Sequence, residues 1–257
     1  MSADKFFLTA WDGRMALLLA IAGVAGLMAA RRLRLRAGYF LAAMAVLVLA
    51  LASPLDALAR DTLFTAHMVQ HLLLLLFAPA LFLLGLSRQT RLPREMSGPA
   101  WAVAGWLGGI GAMWIWHVPA LCDAASSIPA VRTLQVISLL VLGGAFWLPM
   151  LSPREHDRLA PLPAVAYLFA ACLACSSLGI VLTLTPVEVC PIFCQPADRW
   201  GILGWLRGNW GFTAERDRQV GGLVMWVPMC LIFLAAVLAQ LARWHGEEPS
   251  SAAGSTS

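Results

Sequence analysis

The segment H-M-V-Q-H places His67 and His71 one helical turn apart inside a long apolar run at 62–86. Side chains at i and i+4 share a helix face, so both imidazoles point the same way and can hold one metal ion. If the helix starts at Thr62, a rise of about 1.5 Å per residue puts the pair about 7–14 Å below its end. Ionisable groups at that depth in a membrane are rare, face the bundle interior and mark function. The plainer alternative is a pair of neutral histidines hydrogen-bonded to neighbouring helices. His117, in W-I-W-H-V-P, closes another apolar run at the same level as His67; a plain interfacial histidine before the break at Pro119 is its alternative. His156 and His245 fall in charged segments and are read as solvated.

Soft ligands accompany the histidines: Met68, Met113, Cys122, Cys190, Cys194, Met225, Met229 and Cys230. Imidazole combined with thiolate or thioether suits copper, and Cu(I) above all. Met225 and Met229 repeat the i, i+4 spacing, although methionines so spaced more often serve packing. Cys190 and Cys194 form C-P-I-F-C, which is open to two readings, a local disulfide in an oxidising compartment or a transient copper site. Cys172 and Cys175 are read as small apolar packing residues. Asp217 and Gln219 introduce the last apolar run, either as partners that orient a ligand histidine or as a polar helix start. Gly221 and Gly222 permit close helix approach.

Other chemistries fail on missing residues. Lys5 is the only lysine and precedes the first apolar run, which excludes a retinal Schiff base. H-M-V-Q-H lacks the glutamate that a zinc protease needs as general base, and no C-x-x-C-H haem attachment signal occurs. No catalytic residue is assigned. A non-covalent haem held by His71 and His117, or a copper permease, stays open as an alternative function.

The elements that must position these residues are membrane helices. The sequence is 60% hydrophobic and 12% charged, far from the roughly 25% charged residues of soluble domains, and its mean hydropathy is +0.76. Apolar runs near 15–30, 37–52, 62–86, 99–118, 133–151, 162–184 and 219–242 predict an all-α, polytopic membrane bundle of about seven transmembrane helices over 1–246. The connections RRLRLR, SRQTRLPRE and SPREHDR make every second loop short and basic. The positive-inside rule makes those loops cytoplasmic and places the N-terminus, the histidines and the long loop 185–218 outside. Trp101, Trp147 and Trp244 then fit an inner aromatic belt, and Trp11, Trp114 and Trp116 an outer one. The middle of 185–218 reads as an amphipathic surface helix and 247–257 as a disordered cytoplasmic tail. The charge of +4 follows from loop arginines; no basic, aromatic-interleaved patch suggests nucleic acid.

The chain resembles the CtaG-type cytochrome c oxidase (caa-type) assembly factors of bacterial membranes. The likeness spans roughly 54–228 and rests on H-M-V-Q-H-L-L-L followed by A-P-A-L-F-L-L-G, on W-H-V-P, on F-W-L-P-M-L and on D-R-Q-V-G-G-L-V-M-W-V-P. It implies a plasma-membrane protein that matures a terminal oxidase by binding or delivering copper at the outer face. The implied partners are an oxidase subunit, membrane lipid and a copper-chaperone protein. One departure stands out: where the family suggests a further histidine near the start of the fifth helix, this sequence has VRTLQVISLL, with Gln135 as the nearest polar residue.

Overall fold

The computed structural model describes residues 3–32, 36–90, 93, 96, 98–184 and 190–252. Arg34, Arg91 and Arg94 of the basic loops, and 253–257 of the tail, lie outside them. Each of the seven apolar runs is helical, and no strand occurs among the described residues. A short α1 (Ala3–Thr9) precedes α2 (Gly13–Arg32) and α3 (Ala37–Leu51), and a break at Ala52 and Ser53 leads into α4 (Pro54–Asp61). The next run is α5 (Phe64–Leu72), a π-helical turn at Leu73–Phe77, and α6 (Ala78–Gly85). Then follow α7 (Pro99–Trp116), α8 (Pro119–Ser127), α9 (Pro129–Leu151), α10 (Pro161–Leu184), α11 (Leu203–Trp210) and α12 (Ala214–Ala252). Proline opens five of these helices, where its missing N–H would be unpaired anyway.

Phe64–Gly85, Pro129–Leu151, Pro161–Leu184 and Ala214–His245 are long and apolar enough to cross a membrane, and α3 with α4, bent by 49°, makes a fifth if counted as one span. The expected seven is not reached by that measure. Among the residues whose side chains are described, α2 contributes the shorter apolar stretch Gly13–Met28, and α7 is diluted by glycines and tryptophans. The architecture remains an all-α membrane bundle.

Its core is filled by Met68, Leu74, Met113, Leu139, Leu168, Leu182, Met225, Met229 and Phe233. Leu17, Val141, Leu173 and Leu231 are exposed on the outside, as lipid-facing positions are. Close approach of α12 to α5 depends on Gly221, where a Cβ would meet the Phe64 ring at 2.5 Å and the Thr65 amide nitrogen at 3.3 Å.

The tryptophan pattern needs correction. Trp116 and Trp147 are 6% and 5% exposed: Trp116 donates to Ser138 Oγ, and Trp147 packs against Phe146 and Phe233. Both face helices, because the faces they occupy point into the bundle. The surface helix expected within 185–218 is α11, whose neighbourhood joins Phe6 of α1 and the following Ala10 in a small separate cluster with Ile202, Trp200 and Trp205. The last helix, α12, runs to Ala252.

Candidate metal centre

α5 carries His67 and His71 on one face, with ring centroids 4.4 Å apart. His117, at the C-terminal end of α7, brings its ring perpendicular to that of His71 at 5.3 Å. The three side chains are 0%, 1% and 5% exposed. The imidazoles singled out in the sequence therefore form one buried cluster.

Their hydrogen bonds follow from the ends of neighbouring helices. The last four carbonyls of a helix have no intrahelical partner; Ala59 O, in the last turn of α4, accepts from His67 Nδ1 at 3.0 Å. At the end of α7 the His117 amide bonds to Trp114 O at 3.1 Å, and the His117 ring Nδ1 donates to Met113 O at 2.6 Å. A carbonyl can only accept, so both rings carry their proton on Nδ1 and, when neutral, present Nε2 as a bare lone pair. His117 Nε2 faces Met68 Sδ at 3.4 Å, two electron-pair donors without a hydrogen between them. His67 Nε2 and both nitrogens of His71 have no hydrogen-bond partner. Each unmet buried polar group costs roughly 1–3 kcal/mol, so these three partnerless ring nitrogens form a costly arrangement for a core that only packs.

A polar frame holds the bearing helix in place. Asp217 of α12 accepts from the Phe64 and Thr65 amides at 2.7 and 2.8 Å, and Thr65 Oγ1 donates to Asp217 O. These are first-turn N–H groups of α5, whose own N-cap, Leu63, offers no side-chain acceptor; the carboxylate caps the helix from a neighbour. The next residue, Arg218, donates to Leu182 O at the end of α10 at 2.9 Å. Between His67 and His71, Gln70 donates to Ala50 O, a carbonyl at the end of α3, at 2.6 Å and to Asp56 Oδ1 at 2.8 Å. Asp56 also accepts from Arg132 of α9 and from Arg60, and Arg132 returns a bond to Gln70 Oε1 at 3.1 Å. Just past His71 the π-turn rotates the following residues relative to the histidine face, a feature frequent at functional sites.

The remaining expected residues are sorted by position. Met225 and Met229 are fully buried in the core that holds Met68 and Met113, and the Met68 sulfur lies 3.4 Å from His117 Nε2. Asp217 acts on the helix rather than on a ring. Gln219 Nε2 donates to Glu215 Oε1 at 3.4 Å, one turn back on the same helix. Gln135 is 1% exposed and its Nε2 has no partner. The local disulfide is also corrected: Cys190 is joined to Cys122 of α8, with a Cα–Cα distance of 5.6 Å. The 3-10 turn Pro191–Phe193 turns Cys190 inward, to 5% exposure, while Cys194 remains part-exposed outside that bridge. Cys190 is thus no free copper thiol in this state. No group of three or more His, Cys, Asp or Glu side chains among the described residues is arranged to hold a metal ion; the three rings are neighbours rather than a closed set of ligands.

Asp56, Gln70 and Arg132 escaped sequence reasoning. The two charged residues sit beside apolar runs, where charges read as loop residues, and Gln70 was passed over as the middle of H-M-V-Q-H. A further polar side chain between the two histidines, inside so apolar a run, is the available signal.

No curated protein and no solved structure matches the chain at a significant level. The family model of the cytochrome c oxidase caa3 assembly factor matches residues 21–247, a stretch that includes the three histidines and Asp217. The chain therefore belongs to the cytochrome c oxidase caa3 assembly factor family.

Proposed function

We propose that this assembly factor binds copper, as Cu(I), at His67, His71 and His117 near the outer face of the bacterial plasma membrane, and passes it to a cytochrome c oxidase subunit. A copper-chaperone protein supplies the ion, and the chain itself catalyses no reaction. The observation that carries this reading is the set of ring nitrogens with no protein partner beside the Met68 sulfur. A histidine whose one nitrogen is fixed by a backbone carbonyl presents the other to a metal, and imidazole with thioether is a donor set suited to Cu(I). Small rotations of the His71 and Met68 side chains would be needed to converge the donors. The outward orientation rests on the alternating basic loops.

His67→Ala and His71→Ala test it. Alanine is the best helix former, so both variants should insert at normal levels while the oxidase made in the same membranes becomes poor in copper and activity. His156→Ala, at a side chain 71% exposed, should be silent. Normal oxidase copper in the two variants would refute the site; loss of the variants from the membrane would mark the pair as structural.

A further inference from the structure

Phe193 covers the histidine cluster. Its ring lies 5.4 Å from that of His67 and 5.7 Å from that of Phe64, and the residue is 4% exposed. The turn that carries it is tied to α8 at two points: the Cys190–Cys122 disulfide and a hydrogen bond from the Ile192 amide to Asp123 Oδ1 at 3.2 Å. α8 follows His117 directly in the chain. Cys122 is 0% exposed and belongs to the same core as Met68 and Met113. One covalent bond therefore joins the cover over His67 to the segment that carries on from His117. A surface cavity of about 460 Å³ is lined by Asp123, Ser127, Pro191, Ile192, Cys194 and Gln195, among them the chain neighbours of the two bridged cysteines, which lie buried behind it.

We propose that the Cys122–Cys190 disulfide is a redox latch on the histidine cluster, closed when oxidised and opened by a dithiol reductant that reaches it from this cavity. A thiolate of the reductant attacks one sulfur of the bridge to form a mixed disulfide and releases the other cysteine. The second thiol of the reductant then displaces the remaining cysteine. Two electrons pass to the chain, its S–S bond becomes two thiols, and the reductant leaves as a disulfide. The Pro191–Phe193 turn is then held to α8 by the Ile192–Asp123 hydrogen bond alone of these two ties, and the cover over His67 can swing out. The purpose of the latch, admitting or releasing copper, rests on the copper reading above; the opening does not.

The test uses the full-length protein in lipid nanodiscs and reads carbethoxylation of histidines by diethylpyrocarbonate, peptide by peptide, with exposed His156 as internal standard. Oxidised wild type should leave His67 and His71 protected. The Cys122→Ala/Cys190→Ala double variant, and wild type reduced by a dithiol, should show at least about tenfold faster modification of both rings. Phe193→Ala, which keeps the disulfide, should expose His67 with an unchanged helical circular dichroism signal, which guards against misfolding of the double variant. Equal reactivity of His67 and His71 in the oxidised and open forms, whether high or low, overturns the latch. Uptake of Ag(I), a redox-inert stand-in for Cu(I), is followed in the same samples. Rings that open without binding Ag(I) leave the latch standing and refute the copper reading.

Discussion

Asp56 accepts from three other residues, Arg60, Gln70 and Arg132, while only 4% exposed. Removing one member of a buried ion pair leaves the other charge unpaired, typically at about 3–5 kcal/mol. Asp56→Ala should therefore lower the thermal midpoint of the detergent-purified protein markedly, followed by tryptophan fluorescence. Adding Arg132→Leu should recover part of the loss, because the orphaned guanidinium is removed with its partner. An Asp56→Ala protein as stable as wild type would show that the network carries no stability. Since Gln70 lies between His67 and His71, the same substitution should also lower copper loading if the cluster is the copper site.

Between elements, α5 is capped by a residue 153 positions away in sequence. Helix N-caps contribute typically about 1 kcal/mol, and a carboxylate on two amides lies at the upper end through charge-assisted bonding. Asp217→Ala should destabilise the bundle by about 1–2 kcal/mol, with faster deuterium uptake at the start of α5, and Asp217→Asn should restore part of the protection. Uptake unchanged around Phe64 and Thr65 would remove Asp217 from the role of positioning the histidine helix. The neighbouring tie from Arg218 to the end of α10 makes the start of α12 the clamp between two other helices, with Gly221 letting the backbones come close enough for it.

For the whole molecule, the helix ends that carry the histidines, the disulfide and α11 gather on one side of the bundle, because Gln70 meets Ala50, Trp116 meets Ser138 and Phe64 meets Asp217. The alternation of basic loops predicts that this side faces outward. An alkaline phosphatase fusion after Trp200 should be active and one at Gly246 inactive. The reverse pattern would put the cluster on the cytoplasmic side, where thiols are kept reduced, and would take away the setting in which an oxidised latch persists.

What the sequence by itself determined is whatever repeats locally. Apolar runs become helices because a backbone in lipid must satisfy its hydrogen bonds within its own segment, and His67 and His71 share a face because the helical period demands it. His117 could be placed at their level by counting residues. Long-range partnership was not legible in this way. Cys190 was paired by proximity in sequence with Cys194, whereas the packing of α8 beneath the loop offers it Cys122. Trp116 and Trp147 were assigned to the interface by height, which says nothing of the face they occupy. Asp217 could be read as polar at a helix start, but only the approach of α12 to α5 made it another helix's cap. Height along a membrane helix is written in one dimension of the chain; rotation and neighbours depend on how all the helices pack, and the tertiary structure decides them.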